Sequence, residues 1–393
     1  MTAIETGEEA RYLLTGATGF LGSHIMAGLL SKGKSVVIAG RPADGEPLKE
    51  RIRKLLNWFG MQHPRGLLET YEIDFLESRL GLGENEYERL CGLHLNMIHC
   101  ASDTSFSEKN RDSVMKSNVE SLNEIMKFAI ESRARSFHFI STAYAAGTGS
   151  IKCPEAVVKS GRFTNVYEES KAHAEHIVSE KCREGGIPYT IMRPSIVYGD
   201  SVTGRALKFK ALYYPIRSLQ QIRDIYLDDI KFNHGMKSTE FGIYMNDEGG
   251  LHLPIRIFIP NEGKINLIPV DYFAETVLTI IETPVNETIY HITSNSPESM
   301  FRLAAYAERF LNITGIEIVI GAPGENEMRN PPEELFDHFI KAYRPYISDK
   351  RIFARDNTDR ATGGALPPDF NYEIFKRCMD FAVSAGWGKG LFC

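Results

Sequence analysis

The sequence predicts an α/β fold: a doubly wound parallel sheet with a smaller α+β part formed by an insertion and the C-terminal tail. Three observations predict it. Short apolar runs alternate with amphipathic helical stretches from residue 11 to about residue 200, as a parallel sheet covered on both faces requires. A turn with glycine at every third position joins the first strand to the first helix. After Gly199 the rhythm changes, and residues 203–262 become rich in Tyr, Phe and long polar side chains.

Length and composition allow this reading. At 393 residues the chain exceeds a typical single domain, and 43% hydrophobic with 24% charged residues is an ordinary globular balance. The net charge of −6 argues against a basic face for nucleic acid. The six cysteines, Cys91, Cys100, Cys153, Cys182, Cys378 and Cys393, show no metal-ligand spacing and fit a reduced, cytoplasmic setting. Met1 to Ala10 is acidic and lacks the apolar core of a signal peptide. No run of about 18 apolar residues spans a membrane, and the terminal Cys393 does not form a prenylation box.

The first strand leads into Thr15-Gly16-Ala17-Thr18-Gly19-Phe20-Leu21-Gly22 and then a helix over Ser23 to Ser31. The first glycine permits a tight turn, the second lets backbone approach a pyrophosphate, and the third lets the helix pack on its strand. The helix N-terminus offers N–H groups and a positive dipole end to phosphates. Strand before and helix after are the context of a Rossmann dinucleotide site. A second strand, Ser35 to Ala39, ends at Gly40-Arg41-Pro42, where such a site usually carries an acidic reader of the adenosine ribose. Arg41 there, with Arg51 on the following helix, instead suits a 2′-phosphate and hence NADPH. Arg53 and Lys54 read as a solvated basic face.

Tyr71 to Phe75 reads as the third strand, with Asp74 and Phe75 at the adenine edge or Asp74 capping a turn. Leu95 to Ser102 is the fourth, with Ala101 over the cofactor; the lone His99 beside it reads as structural. Val114 to Glu131 has helical periodicity and contains Asn118. Phe137 to Thr142 is the fifth strand, Gly185-Gly186 a helix end, and Tyr189 to Arg193 the sixth strand. Ile265 to Val270 and Thr288 to Thr293 read as strands returning to the main sheet around a helix from Asp271 to Glu282. Ser299 to Thr314 reads as a helix, Ile316 to Ile320 as a strand, Arg360 to Pro368 as a loop, and Tyr372 to Ala385 as a final helix. The expected division is 1–202, completed by 263–300, for the dinucleotide domain, with 203–262 and 301–393 forming a substrate-binding part.

Tyr167-Glu168-Glu169-Ser170-Lys171 places Tyr167 and Lys171 one helical turn apart on one face. An ammonium there favours the phenolate and is expected to lower the tyrosine pKa. Such a tyrosine can hand a proton to a carbonyl oxygen as hydride arrives. Thr142 supplies a strand-end hydroxyl for the same oxygen, and Asn118 a contact extending the proton path. No metal site is read.

The glycine turn, Ser141-Thr142-Ala143, Tyr167 with Lys171, and Arg193-Pro194-Ser195-Ile196-Val197-Tyr198-Gly199, in that order, resemble the extended short-chain dehydrogenase/reductase superfamily over residues 11–300. The resemblance implies catalytic roles for Thr142, Tyr167 and Lys171, with Asn118 in support. It also implies cofactor contacts from Thr15, Gly16, Thr18, Gly19, Phe20, Leu21, Gly22, Lys171, Pro194, Ser195 and Val197. Gly199-Asp200-Ser201-Val202-Thr203-Gly204, Ile268 to Ala274 and Tyr290 to Ser294 look like the thioester reductase and fatty acyl-CoA reductase branch. That implies NADPH-dependent reduction of an acyl thioester, on CoA or a separate carrier protein, to an aldehyde and onward to an alcohol in some members. A sugar-nucleotide epimerase or dehydratase and a simple carbonyl reductase share the scaffold, as does a non-catalytic dinucleotide sensor. The aromatics Phe209, Tyr213, Tyr214, Phe232, Phe241 and Tyr244 are candidates to line the acyl pocket or to be core. Lys208, Lys210 and Arg217 are candidates for CoA phosphates or an acidic carrier, or a solvated face. The sequence does not fix oligomeric state.

Overall fold

A computed structural model of the chain describes residues 10–43, 45–62, 66–158, 161–324, 328–389 and 391. The leader and lipidation readings bear on residues 1–9 and 393, outside that set. The chain divides into two compact units, the first comprising residues through Ser195, Val270–Thr293 and Arg351–Ala365.

The first unit is built on seven strands: β1 (Arg11–Thr15), β2 (Ser35–Gly40), β3 (Leu68–Glu72), β4 (Asn96–His99), β5 (Ser136–Ile140), β6 (Tyr189–Pro194) and β7 (Thr288–Ile292). Their order is β7-β6-β5-β4-β1-β2-β3 and every pairing is parallel. From β1 the chain winds first to β2 and β3, then crosses back to β4 and on to β7. That reversal puts the ligand crevice of such sheets beyond the carboxyl ends of β1 and β4. Tyr12 to Thr15 and Val36 to Ala39 are buried throughout, the unbroken pattern of strands covered on both faces. Eight helices accompany them: α1 (Phe20–Ser31), α2 (Leu48–Trp58), α3 (Glu84–Cys91), α4 (Arg111–Met115), α5 (Leu122–Glu131), α6 (Val166–Glu184), α7 (Val270–Glu282) and α8 (Asp356–Thr362).

Four expectations need correction. The third strand lies three residues earlier than Tyr71 to Phe75, because Asp74 ends it: its carboxylate accepts from Leu76 N at 3.0 Å, an Asx turn. The helix expected over Val114 to Glu131 begins at Arg111 and is broken by a π turn, Lys116–Glu120. Of the two returning strands only Thr288–Ile292 joins the main sheet; it occupies the outer edge of β6, so Leu267–Pro269 pairs with Ile196–Tyr198 instead. The loop from Arg360 begins after α8, and α8 belongs with the sheet. Glu155 accepts from the backbone of His291, on β7, and of Asn357, in α8, at 2.8 and 2.6 Å. These contacts place residues 351–365 with the sheet rather than in the expected substrate part, and residues 196–202, 263–269 and 294–300 lie in the second unit, where Leu267–Pro269 pairs with Ile196–Tyr198.

In that second unit Leu251–Ile259 pairs in parallel with Ile313–Ile320, alongside helices Tyr213–Phe232, Met300–Leu311, Pro331–Ile340 and Tyr372–Ser384. It encloses a cavity of about 90 Å³ lined by aliphatic residues such as Leu212, Ile216, Leu303 and Ile316. None of the six candidate aromatics lines it: Phe209 and Tyr213 are buried in core, while Phe232 and Tyr244 are exposed.

Three buried histidines, His99, His138 and His291, carry the acid sensitivity of the sheet unit. Burial pushes each imidazole down to about 3, below the usual value near 6.5. The unfolded chain therefore binds more protons, so their contribution is complete above pH ~6.5 and is lost as pH falls toward ~3. We expect a loss of order 1–2 kcal/mol per histidine by pH ~5. Denaturant midpoints measured across that range check it; a flat profile contradicts it.

Candidate active site

The glycine turn is shaped by close approach. Gly16 has φ +73°, and a Cβ there would lie 2.5 Å from the Ala101 amide nitrogen. A Cβ on Gly22 would lie 2.2 Å from the Gly16 carbonyl oxygen, so only glycine lets α1 start this close to β1. Gly19 caps α1 without a side-chain hydrogen bond, and the first turn of α1 holds no acidic residue. Thr18, Phe20 and Leu21 are partly exposed around this turn. Thr15 is buried and acts differently: its hydroxyl bonds His99 Nδ1 at 2.9 Å and accepts from Ala101 N at 3.3 Å, tying β1 to β4. His99, stacked near Phe137 and Phe139, is structural.

At the end of β2, Arg51 donates to the Arg41 carbonyl at 3.1 Å, which brings two guanidinium-bearing residues together. Neither forms an ion pair among the described residues, whereas Arg53 pairs with Glu50 and Lys54 with Glu46. Asp74 is committed to its turn and Phe75 is turned into the core, edge-on to His99. A strand ending at Glu72 takes both away from the extended geometry expected of them.

The second cluster lies at the carboxyl ends of β5 and β6. Asn165 caps α6 by accepting from Glu168 N at 3.1 Å, which sets Tyr167 in the first turn and Lys171 in the second. Lys171 Nζ donates to the Ile140 carbonyl at 2.6 Å and sits 4.3 Å from the Phe139 ring centre. Burial pushes this ammonium down to about 8, opposed by the Cys100 thiol and Glu175. The Tyr167 phenol moves the other way from the sequence expectation. Burial, then Cys100 and Glu168, hold it above its ordinary range, and Lys171 is spent on a strand-end carbonyl. Among the described residues the Tyr167 hydroxyl makes no hydrogen bond. Thr142 ends the β5 segment, donating weakly to the Pro194 carbonyl at 3.5 Å and capping the turn Ala143–Ala146.

Asn118 is fully engaged. Its amide oxygen accepts from Asp103 N at 2.7 Å and its amide nitrogen donates to Ser170 Oγ at 2.9 Å. It staples the loop after β4 to α6, from a π turn of the kind that recurs at functional sites. Ser195 keeps a buried hydroxyl with no partner among the described residues. Val197 belongs to the second unit, paired with Ile268.

Sequence reasoning missed the ion pair beneath this cluster. Arg193 on β6 grips Glu175 on α6 with bonds of 2.8 and 2.6 Å, both residues buried, and Ser141 Oγ donates to Glu175 at 2.5 Å. An arginine inside an apolar strand was the available signal. Its partner, in an amphipathic helix, gave none.

The family whose model matches this chain makes it an NAD(P)H-dependent oxidoreductase of the extended short-chain dehydrogenase/reductase type, and the sheet order with the glycine turn at the crossover is the fold such a protein requires. A family model described as male sterility protein matches residues 14–277, and the chain belongs to that NAD-binding family, in its thioester reductase and fatty acyl-CoA reductase branch. Among similar proteins, the nonribosomal peptide synthetase asaC of Aspergillus flavus is 26% identical over 309 residues, 74% of this chain and 26% of that protein. An isonitrile lipopeptide synthase of Streptomyces coeruleorubidus is 30% identical over 208 residues, 50% of this chain and 14% of the synthase. The chain thus spans about a quarter or less of these relatives. Among solved structures, the terminal R domain of the myxalamid PKS-NRPS pathway has a TM-score of 0.73 at 22% identity, covering 98% of this chain and 93% of that one. A UDP-glucose 4-epimerase of Thermotoga maritima has a TM-score of 0.62 at 16% identity, covering 95% and 99%. Both likenesses are of fold. Among the described residues no helix is long and apolar enough to cross a membrane.

The close approach of Gly22 makes one substitution decisive. Gly22→Ala forces α1 away from the turn. We expect dinucleotide binding to weaken by at least ~10-fold, since the third glycine packs the helix on its strand and the displaced α1 N-terminus is the part that meets the phosphates. Fluorescence titration, with circular dichroism to confirm the fold, reads this.

Proposed function

We propose that the chain is an NADPH-dependent reductase of an acyl thioester, carried on CoA or on a separate carrier protein, yielding an aldehyde. The observation that carries the reading is the family match over residues 14–277, which runs from the glycine turn through the Tyr167/Lys171 helix. An archaeal structural neighbour, TM-score 0.69 at 18% identity over 97% of this chain and 92% of that one, joins a thiolation domain to a reductase domain. That pairing favours a thioester on a protein arm as the substrate.

The residues suit the cofactor. Gly16 and Gly22 let the turn close against its own backbone, which brings the N-terminus of α1 to the place where such folds hold a diphosphate, and Arg41 with Arg51 can meet a 2′-phosphate. A bound reduced nicotinamide supplies hydride to the carbonyl carbon. Tyr167, held protonated by its surroundings, donates to the oxygen on which charge develops, and the Thr142 hydroxyl shares it. Lys171 lies one turn along the same helix and, beyond its bond to the Ile140 carbonyl, has further N–H donors to offer a nicotinamide ribose. Asn118 keeps α6 and the loop after β4 in register. The hemithioacetal hydroxyl would then give up its proton as the C–S bond breaks, leaving aldehyde and free thiol, and the same groups, with a second equivalent of NADPH, would reduce the aldehyde to the alcohol. The epimerase reading, open on fold alone, is disfavoured by Arg41 in the place of an acidic ribose ligand.

NADPH oxidation followed against acyl-CoAs, a carrier-bound acyl thioester, UDP-sugars and simple carbonyls tests the proposal; turnover of sugar nucleotides alone overturns it. Tyr167→Phe is expected to lower kcat by ~10²-fold or more with little change in NADPH affinity. Arg41→Ala, and Arg51→Ala to a lesser degree, should weaken NADPH binding about tenfold while leaving NADH nearly unchanged, as loss of a charge-assisted phosphate contact would. Because Lys171 is cationic only below about 8, kcat/KM should fall as pH rises through that value, and Lys171→Arg should remove that limb.

A further inference from the structure

Residue 351, more than 180 positions beyond Tyr167, returns to the sheet unit at the site itself. The Arg351 guanidinium lies 4.6 Å from the centre of the Tyr144 ring, and Nη1 donates to the carbonyls of Tyr144 and Gly147 at 3.5 and 3.3 Å. The same Nη1 is 3.7 Å from Glu168 Oε2, and both side chains are buried. Glu168 is the neighbour of Tyr167, and its carboxylate also accepts from Thr164 N at 3.0 Å at the start of α6. The next two residues fix the arginine: Ile352 and Phe353 pair in parallel with Lys152 and Cys153, and Phe353 meets the Tyr144 ring edge-on at 5.7 Å.

We propose that Arg351 is a positioning residue of the reductase site, locking the turn that follows Thr142 to the first turn of α6 that carries Tyr167. This rests on the catalytic reading of Thr142 and Tyr167 given above. One side chain spans both elements. It stacks on the Thr142-capped turn and reaches two of its carbonyls through Nη1, while the charge on the same nitrogen meets the carboxylate next to the proton donor. Water is excluded from the contact, so the pairing is stronger than at a surface, and removing the cation leaves Glu168 acting on Tyr167 without it. Neither Thr142 nor Tyr167 is touched by Arg351 through its own reacting oxygen. The role is geometric.

The test uses the full chain with NADPH and octanoyl-CoA, or the panel member turned over fastest. Arg351→Met is expected to lower kcat ~10–100-fold, the scale of a small misplacement of catalytic groups. The NADPH Kd, read by fluorescence, should stay within about twofold, because the glycine turn and Arg41 are untouched. Arg351→Lys should recover part of the loss. Glu168→Gln should lower kcat as well, and adding it to Arg351→Met should cost little more, as two ends of one contact behave in a double-mutant cycle. A folded Arg351→Met with the parent kcat overturns the proposal. So does a parallel fall in kcat, NADPH affinity and melting temperature that lysine does not relieve, which marks a merely structural role. Should Arg351→Met fail to fold, Glu168→Gln decides, and parent kcat in that variant is the overturning result. Tyr167→Phe is run beside them. If it turns over normally the catalytic reading has failed and this proposal falls with it; if it is inactive while Arg351→Met is normal, only the positioning role is lost.

Discussion

The buried pair of Arg193 and Glu175 is the contact on which the arrangement of the site depends. Arg193 is rooted in β6 and Glu175 in α6, so their two bonds fix the helix that bears Tyr167 and Lys171 against the strand that follows it. Arg193 also reaches His291 on β7 and the Ala156 carbonyl, while Ser141, the neighbour of Thr142, donates to Glu175. Taking both charges out of water costs about as much as their attraction returns, so the pair is not a large net stabiliser. Its value is geometric: a guanidinium fork accepts a carboxylate in few orientations. Loss of either partner alone strands a charge in the interior, a change of about 3–5 kcal/mol.

That rigidity bears on proton chemistry. A phenol beside an ammonium suggests a phenolate, and the opposite holds here because the ammonium of Lys171 is aimed at the Ile140 carbonyl and Phe139. Burial then dominates at each group, raising Tyr167 with help from Cys100 and Glu168 and lowering Lys171 against Cys100 and Glu175. For the proposed reduction this arrangement is useful: a phenol acting as proton donor would keep its proton until it is needed, while the ammonium loses its own with less difficulty than a lysine in water.

Much of this was legible in the sequence because it rests on local rules. The strand runs, the glycine turn and the i, i+4 spacing of Tyr167 and Lys171 each depend on residues within one or two turns. Leu251–Ile259 was not read as a strand although its buried residues alternate with His252, Pro254 and Arg256; the period was there, inside a stretch read only by its aromatic and polar content. The third strand was misplaced because Leu68, Glu69 and Thr70 lack an apolar run; they lie on the sheet edge, where charge is tolerated. The direction of the Tyr167 shift was not legible, since it depends on which oxygen captures Lys171. Nor was the role of Asn118, whose partners Asp103, Ser102 and Ser170 lie 15, 16 and 52 positions away.

The return of residues 351–365 to the first unit carries the largest consequence for how the chain is understood. The family match stops at residue 277, yet β7, α8 and the Arg351 contact all follow it. Glu155 alone binds three backbone or side-chain groups of α8 and one of β7, closing a loop of about 200 residues. Closing so long a loop costs chain entropy that the contacts must offset. The side chain that spans the turn after Thr142 and the start of α6 comes from the far end of that loop. A segment defined by sequence similarity alone therefore contains the glycine turn, Tyr167 and Lys171 but omits part of what holds them in place.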